Sequence, residues 1–377
     1  MSADQEDKTD PELLHALRLH LIPGVGPRLQ MALLAAFGTA EKVLQASGPD
    51  LLSVEGIGAK LSVAISRARR DDTAEQELKR CRELGIQPLL RGRPEYPRPL
   101  EEIVDPPLVL FQKGQYLPQD RLAVAIVGSR QCTLYGRQTA EKLARSLAMA
   151  GVTIVSGMAR GIDAAAHRGA LEVGGRTIAV WGTGLAETYP PEHVGLAEEI
   201  SKHGALFTES PADRGPSRGI FPQRNRIISA ISLGVILVEA GRTSGSLHTA
   251  RHALEQGRDV FAVPGRIDSL TSQGCHDLIR DGVPLIRGAD DVLQVLGPMT
   301  SPTVSASGAA VHTPRELTLS DFERSLLNLV TLDQRHQDEI IRESGLEASQ
   351  VVSTLLVLEM RRLIRRLPGG YFARVPY

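Results

Sequence analysis

The stretch Ala125-Ile126-Val127-Gly128-Ser129-Arg130 decides the fold. It is a short apolar run that ends in glycine, serine and arginine, and Gly136 follows it near the start of an amphipathic segment. Such a run predicts a buried β-strand that turns tightly into a helix. Because open parallel sheets bind ligands at the carboxyl ends of their strands, this turn is also a candidate site.

The same pattern recurs along the middle of the chain. Most of these short apolar runs are followed by glycine or serine and then by an amphipathic segment, which predicts a parallel sheet with helices on both faces. We therefore expect an α/β domain over residues 86–297, an extended Rossmann-like, doubly wound parallel sheet. Its strands are predicted at 122–127, 153–156, 177–182, 206–209, 235–239 and 260–263.

Two different segments flank this domain. In residues 1–85 the phrase around Gly24 and Gly26 is repeated around Gly56 and Gly58, which is typical of a helical helix-hairpin-helix or SAM-like domain. The glycine loops are expected to serve structure or protein contact, or else to contact DNA. Residues 298–318 resemble a flexible linker. Residues 319–377 predict a winged helix, with helices at 320–331, 337–344 and 348–361 and a hairpin at 363–374.

Composition narrows the classes of function. The 377 residues are 42% hydrophobic and 23% charged, and no apolar run approaches the length of about 18 residues that a membrane helix requires. The polar start and three scattered cysteines favour a cytoplasmic protein without disulfides, a zinc site or membrane contact. Because the net charge is −1, any nucleic-acid binding must come from clustered arginines.

The first candidate site lies in the opening strand's turn. Gly128 allows close backbone approach, Ser129 can donate to a phosphate oxygen, and Arg130 supplies a charged fork. The turn lacks both the GxGxxG dinucleotide fingerprint and the GxxxxGK[ST] phosphate loop. We therefore expect no nucleotide cofactor.

The second candidate is a cluster of cations around one aromatic ring. Cations for the phosphates and a π-face for a base are what a single-stranded nucleic acid requires. The alternatives are that the aromatic residue anchors the following helix and that an arginine forms a structural ion pair, although at least one of the last two arginines is expected to touch phosphate. The candidates are Arg218, Phe221, Arg224, Asn225 and Arg226.

A third loop follows the strand at 235–239 and offers hydroxyl and amide donors at a helix start. Its candidate phosphate contacts are Ser244, Gly245, Ser246 and Thr249.

Acidic and histidine residues supply no catalytic set. Asp163 and His167 lie four residues apart on a helix, which is better explained by helix capping and core hydrogen bonds than by catalysis. Glu209 and Glu239 end different strands and are expected to pair with arginines. We expect neither a catalytic residue nor a metal ligand.

These phrases together resemble the DNA-processing protein A family (DprA, also called Smf). The resemblance runs over residues 90–297 and rests on Val127-Gly128-Ser129-Arg130, Ser156-Gly157-Met158-Ala159-Arg160-Gly161-Ile162-Asp163, Tyr189-Pro190, Phe221-Pro222-Gln223-Arg224-Asn225-Arg226, Ser244-Gly245-Ser246 and Gly274-Cys275. His276 departs from the asparagine that usually follows Gly-Cys, and Met158 from the common leucine.

The resemblance implies a protein that binds and protects single-stranded DNA, forms a homodimer, and loads the RecA recombinase in natural transformation, without catalysis. It places the family's arginine on Arg130 and the cation and stacking aromatic on Arg218 and Phe221. A single-strand-binding protein is a further partner that it allows. The implied dimer surface comprises Ile267, Leu270, His276, Leu278 and Ile279.

Two alternatives remain open. One is a nucleotide-hydrolysing enzyme of the lysine-decarboxylase-like Rossmann group, although the loop at 240–246 departs from that group's Pro-Gly-Gly-x-Gly-Thr phrase. The other is a regulator that binds duplex DNA through its winged helix. The segment 348–359 contains no arginine that could read bases.

Overall fold

A computed structural model of the chain describes residues 10–217, 219–296, 303–304, 310–311 and 313–375. Its centre is an eight-stranded sheet with the order β1-β2-β6-β5-β4-β3-β7-β8, in which β3 to β8 are parallel. The predicted Rossmann-like fold is confirmed. The strands are β1 Gln87–Leu90, β2 Val109–Gly114, β3 Ala123–Gly128, β4 Thr153–Ser156, β5 Thr177–Trp181, β6 Gly204–Thr208, β7 Gly234–Val238 and β8 Asp259–Ala262.

The strand order places a switch point beside the opening stretch. The chain leaves β3 toward β4, β5 and β6 on one side, then returns across the sheet to β7 and β8 on the other. The loops after β3 and β7 therefore diverge at one place on the carboxyl edge. A crevice at such a place is where doubly wound folds bind ligands.

Helices cover both faces of the sheet because each strand is apolar on both sides. Ala123, Ala125 and Val127 of β3 pack in a core with α11, α12 and α13, whereas Val124 and Ile126 face α8, α9 and α14. The helices are α7 Arg98–Glu101, α8 Leu134–Met149, α9 Ile162–Glu172, α10 Val194–His203, α11 Ile220–Ala230, α12 Ser246–Glu255, α13 Gln273–Arg280 and α14 Ala289–Val295.

Sequence reasoning missed the first two strands. β1 and β2 extend the sheet at one edge and are antiparallel to each other, and β2 is antiparallel to β6. Both are short and contain or follow prolines, so they lack the strand–glycine–helix pattern by which the other strands were found.

The repeated phrases of the amino-terminal segment form two interlocked hairpins. A Cβ built on Gly24 would lie 3.1 Å from Leu61 Cδ2, and one built on Gly56 would lie 2.8 Å from Leu29 Cδ2. Gly24 and Gly56 have a positive φ and each faces the leucine of the other repeat, so these two serve packing, whereas nothing lies within 4 Å of a Cβ built on Gly26 or Gly58. The helices are α1 Pro11–His20, α2 Pro27–Phe37, α3 Ala40–Gln45, α4 Gly48–Leu52, α5 Ala59–Ala68 and α6 Thr73–Leu84.

The expected winged helix is present, with a third short strand that was not predicted. Its strand order is β11-β13-β12, and its own core includes Leu326, Ile340 and Leu355. The elements are α15 Asp321–Leu329, β11 Arg335–His336, α16 Gln337–Ser344, α17 Ala348–Met360, β12 Ile364–Leu367 and β13 Tyr371–Arg374.

The expectation of a flexible linker does not hold for its described part. Residues Thr303–Val304 and Ala310–Val311 pair as β9 and β10, and a 3-10 helix follows at Pro314–Thr318. Val311 is fully buried with Leu122 of the Rossmann-like domain. The apolar side chain of Val311 anchors the segment to that domain, and the proline- and serine-rich composition did not reveal this contact. In the described ranges, none of the helices is long and apolar enough to cross a membrane.

Candidate nucleic-acid interface

Three loops that are far apart in sequence line one cleft of about 560 Å³ at the switch point of the sheet. The residues come from the turn after β3, the first turn of α11 and the start of α12. Ten of the twelve nucleic-acid contacts predicted from sequence are among them: Gly128, Ser129, Arg130, Phe221, Arg224, Asn225, Ser244, Gly245, Ser246 and Thr249.

The turn after β3 places a charged side chain at the cleft surface. The backbone N–H of Ser129 donates to Glu239 O at 2.8 Å, which fixes the turn against the end of β7. Arg130 is exposed and makes no ion pair with any described residue. Its guanidinium carbon lies 5.3 Å from the centre of the Phe221 ring, a cation–π distance. This cation is therefore available to an anion.

The loop after β7 presents hydroxyl groups beside a helix start. The Oγ atoms of Ser244 and Ser246 are 2.8 Å apart, and Asn225 Nδ2 donates to Gly245 O at 3.2 Å, which ties this loop to α11. Helix α12 begins at Ser246, and its start carries the positive end of the helix dipole, while the N–H groups of Leu247 and His248 donate to Ser244 O and Gly245 O. The arrangement suits a phosphate oxygen. Thr249, one turn later, is buried at the cleft wall.

Arg224 forms the floor of the cleft. Its side chain is buried and donates to the carbonyl oxygens of Gly157 and Val180 at the ends of β4 and β5. A Cβ on Gly157 would lie 2.5 Å from Arg224 Nη1, so a larger residue there would displace the Arg224 guanidinium. Burial lowers the pKa of Arg224 to about 10, so it remains charged at neutral pH. Arg224 contributes positive potential from beneath the surface.

Arg226 occupies a different position from the one expected. It is buried beneath α11, where Nη2 lies 2.8 Å from both carboxylate oxygens of Glu209 and Nε lies 3.5 Å from Asp105 Oδ2. It does not line the cleft. The structure thus shows Arg226 in a structural ion pair, which was the alternative to phosphate contact in the sequence analysis. Arg218, the remaining candidate, lies outside the described residues.

The carboxylates have structural partners. Glu239 accepts hydrogen bonds from the backbone N–H and from Oγ1 of Thr133, so the prediction of an arginine partner for Glu239 was wrong. The positive φ of Glu239 turns its side chain toward the start of α8.

Asp163 lines the cleft, which sequence reasoning missed, and burial raises the pKa of its carboxyl group. It accepts from the N–H of Ala159 at 3.3 Å, whereas the α9 cap is Gly161, so the expected capping role was wrong.

His167 is part of the core, as expected. Its Nδ1 lies 2.7 Å from Thr177 Oγ1, whose own hydroxyl donates to Ile154 O. The imidazole therefore donates from Nδ1. Burial lowers the pKa of His167 to about 3, so the ring is neutral at physiological pH. Asp163 and His167 therefore have different hydrogen-bond partners, Ala159 and Thr177.

The residues of the implied dimer surface divide into two groups. Ile267 and Leu270 are 93% and 74% exposed. Leu278 and Ile279 pack partly against the sheet core, and His276 Nε2 lies 3.1 Å from Gly265 O. The amphipathic helix α13 accounts for the second group, while the first has no packing role within the described residues.

The third helix of the winged helix presents a largely apolar outer face. The exposed side chains of α17 include Val352, Leu356 and Met360, together with the polar Gln350 and Ser353. Arginine and lysine, the common readers of guanine in the major groove, do not occur in this helix. The exposed arginines Arg362, Arg365 and Arg366 lie beyond its end and on the wing, where only backbone contact is expected.

Comparison with known proteins agrees with this architecture. Residues 87–297 match the family described as DNA recombination-mediator protein A, residues 310–370 match the DprA winged helix domain, and residues 17–71 match the SAM-like helix-hairpin-helix tandem. The Smf protein of Synechocystis is 34% identical, over 94% of this chain and 96% of its own. The DprA protein of Bacillus subtilis is 43% identical, over 57% of this chain and 73% of its own.

Solved structures of DprA proteins are similar to this chain in fold and in sequence. The DprA structure from Streptococcus pneumoniae superposes with a TM-score of 0.64 and 34% identity, covering 75% of this chain and 97% of that one. A Helicobacter pylori DprA structure, described as giving insight into a single-stranded DNA binding mode, has a TM-score of 0.50 and 32% identity, covering 55% and 93%. The matched domains, the full-length relative and the shared fold establish that this chain belongs to the DNA recombination-mediator protein A family, the DprA or Smf proteins.

Proposed function

We propose that this chain binds single-stranded DNA in the cleft at the switch point of its sheet. The observation that carries the proposal is the convergence of three loops that bring together an unpaired cation, hydroxyl donors at a helix start and an aromatic ring. The Helicobacter pylori relative, described as binding single-stranded DNA, supports the same ligand.

The cleft chemistry favours a single strand over a duplex. Arg130 and the Ser244–Ser246 segment suit the phosphates, and the Phe221 ring suits a base. In a duplex the faces of the bases are stacked on one another, so a ring at a cleft wall could meet only base edges or the backbone. A single strand can turn its bases onto the protein.

A direct titration tests this proposal. Fluorescence anisotropy with a labelled oligothymidine and with a duplex of equal length should show much tighter binding of the single strand. The affinity should fall steeply with salt, because binding to phosphates releases counterions. Equal affinity for the two forms would contradict the proposal.

We infer that the bound strand is passed to the RecA recombinase, as the family resemblance implies, and that two copies of the chain act together. Exposed Ile267 and Leu270 support self-association, because large apolar side chains at such exposure are typical of contact surfaces when they cluster. Ile267→Glu should lower the mass measured by light scattering. RecA-catalysed ATP hydrolysis on oligonucleotides coated with single-strand-binding protein should rise when this chain is added.

We also infer that the cleft binds without catalysis. The carboxylates of Glu239 and Glu209 are committed to Thr133 and Arg226, and His167 is neutral, buried and hydrogen-bonded to Thr177. A nucleotide-hydrolysing enzyme is the competing interpretation. Release of the base from nucleoside monophosphates by the purified chain, abolished by Asp163→Asn, would favour that alternative.

Duplex binding through the winged helix is the second competing interpretation. If duplex binding through that domain were the main activity, replacing Arg362, Arg365 and Arg366 by alanine in the full chain should remove most DNA affinity. We expect these replacements to leave most single-strand affinity in place, because the cleft lies in another domain.

A further inference from the structure

Three planar groups stand in a row at the mouth of the cleft. The guanidinium of Arg130 lies over the Phe221 ring at 5.3 Å, and the Tyr189 ring lies 5.7 Å from Phe221 with an angle of 32° between the planes. Phe221 is half-buried, and Gly182 at the end of β5 lies against its edge. Tyr189 is 37% exposed and ends the row.

The exposed end of this row lies outside the phosphate cleft. Tyr189 comes from the loop between β5 and α10, which contributes nothing to that cleft. It lines a separate depression with Arg130, Arg160 and Phe221. The depression measures about 30 Å³, room for no more than a couple of water molecules, so a planar group could lie across its rim but could not enter it.

We propose that Tyr189 is a nucleobase subsite, a second stacking surface beside Phe221 for the strand bound in the cleft. This proposal rests on the proposed single-strand binding and specifies where the strand continues. An exposed aromatic face accepts any base, because every base has a π-face. The row of guanidinium, phenyl and phenol groups thus leads from the phosphate contacts to an open ring.

The spacing favours a stretched strand. The centres of Phe221 and Tyr189 are 5.7 Å apart, within the range of interacting aromatic rings. A base between the two rings would need about twice the stacking distance of ~3.4 Å, so bases held by these rings lie on their other faces and are unstacked from each other. A base can stack on the face of Phe221 that Arg130 covers only after Arg130 moves off the ring, for example onto a phosphate, whereas Tyr189 is already 37% exposed in the free protein.

Charges around Tyr189 do not offer a competing phosphate site. The neighbouring Arg160 is held by both carboxylate oxygens of Glu192, and this pairing raises the pKa of Arg160 and lowers the pKa of Glu192. The pair is close to neutral as a unit. The contact offered here is therefore the aromatic face, with the backbone phosphates held at the cleft.

The test compares Tyr189→Leu with Tyr189→Phe in the full chain, by anisotropy with oligothymidine. Leucine retains apolar packing against Phe221 but removes the π-face, and should weaken binding about 5- to 150-fold, the range for one stacked base. Phenylalanine should bind like the unaltered chain. Tyr371→Leu is the matched control, because Tyr371 is also 37% exposed but lies in the winged helix.

A second measurement separates stacking from a structural role. A single abasic position is moved along the oligonucleotide, and each binding constant is compared between the unaltered chain and Tyr189→Leu. At one position the loss of the base and the loss of the ring should not add, since each removes the same contact. The slope of log affinity against log salt should be unchanged in Tyr189→Leu, because no charge is removed.

The outcomes are distinct. Equal affinity of Tyr189→Leu and the unaltered chain, or penalties that add at every abasic position, would overturn the subsite. Single-strand binding by the unaltered chain together with loss in Arg130→Ala would in that case leave the proposed function intact. If the unaltered chain does not bind the strand at all, both proposals are wrong.

Discussion

Gly128 and Val238 approach each other so closely that a Cβ built on Gly128 would lie 1.9 Å from Val238 O. The two residues are register partners at the ends of β3 and β7, the strands that flank the switch point. The glycine is thus required by the sheet itself. Its position in the candidate DNA site follows from the same close approach.

Gly128→Ala should therefore destabilise the fold. We expect a loss of at least about 2 kcal/mol in the free energy of unfolding, measured by urea denaturation, because a carbonyl oxygen on a paired strand cannot move aside. Gly245→Ala is the matched control in the same cleft. Nothing lies within 4 Å of its built Cβ and its φ is −61°, so this change should stabilise by about 0.5 kcal/mol. Equal effects would contradict the packing explanation.

Arg130→Ala should weaken binding of oligothymidine by about 1–3 kcal/mol, the range for charge-assisted contacts. It should also reduce the salt slope by about one unit, since one phosphate contact is lost. Arg287→Ala is the control, because that exposed arginine is paired with Asp291 outside the cleft. Unchanged affinity in Arg130→Ala would refute the assignment of this residue.

Arg226→Met should act on stability. Removing one partner of a buried ion pair leaves Glu209, whose side chain is only 14% exposed, without its cation, and should cost about 3 kcal/mol in unfolding free energy. Adding Glu209→Gln should restore part of that loss. The salt slope of DNA binding is informative here: a decrease of about one unit in a folded Arg226→Met chain would show phosphate contact after all.

The pH dependence of stability should include a contribution from His167. Its pKa is about 3 in the folded chain, against 6.5 for an unperturbed histidine, so between these limits the unfolded chain binds a proton that the folded chain does not. Stability should fall as pH decreases below 6.5, by about 2 kcal/mol between pH 6.5 and pH 5. Thermal unfolding of His167→Gln over this pH range should show a shallower slope. Parallel slopes for the two proteins would contradict this prediction.

The sequence predicted the elements of the central domain well, because a buried parallel strand followed by glycine and a helix leaves a clear pattern. All six parallel strands and the convergence of Gly128, Phe221 and Ser246 follow from that pattern and the switch-point rule. The pattern did not predict which of the candidate side chains are exposed. The phrase that contains Arg224 and Arg226 does not reveal that α11 turns both side chains inward, because helical phase depends on where Gly219 starts the helix.

Tyr189 stands out in the sequence only as part of the family phrase Tyr189-Pro190, since nothing near it in sequence marks a site. Its relation to Phe221 arises from the contact of the loop after β5 with the start of α11. Val311 was missed for a similar reason, because one apolar residue in a segment rich in serine and proline has no periodicity. In both cases the deciding partner is distant in the chain.

The interlocked hairpins have a consequence for how the molecule unfolds. Their core continues without interruption into the sheet, where Leu17 and Leu33 belong to the same buried cluster as Phe111 and Trp181. The winged helix instead buries its side chains in a cluster of its own. Calorimetry should then show one cooperative transition for residues 10–296 and a separate transition for the winged helix. We therefore expect the hairpin module to unfold as part of the Rossmann-like domain.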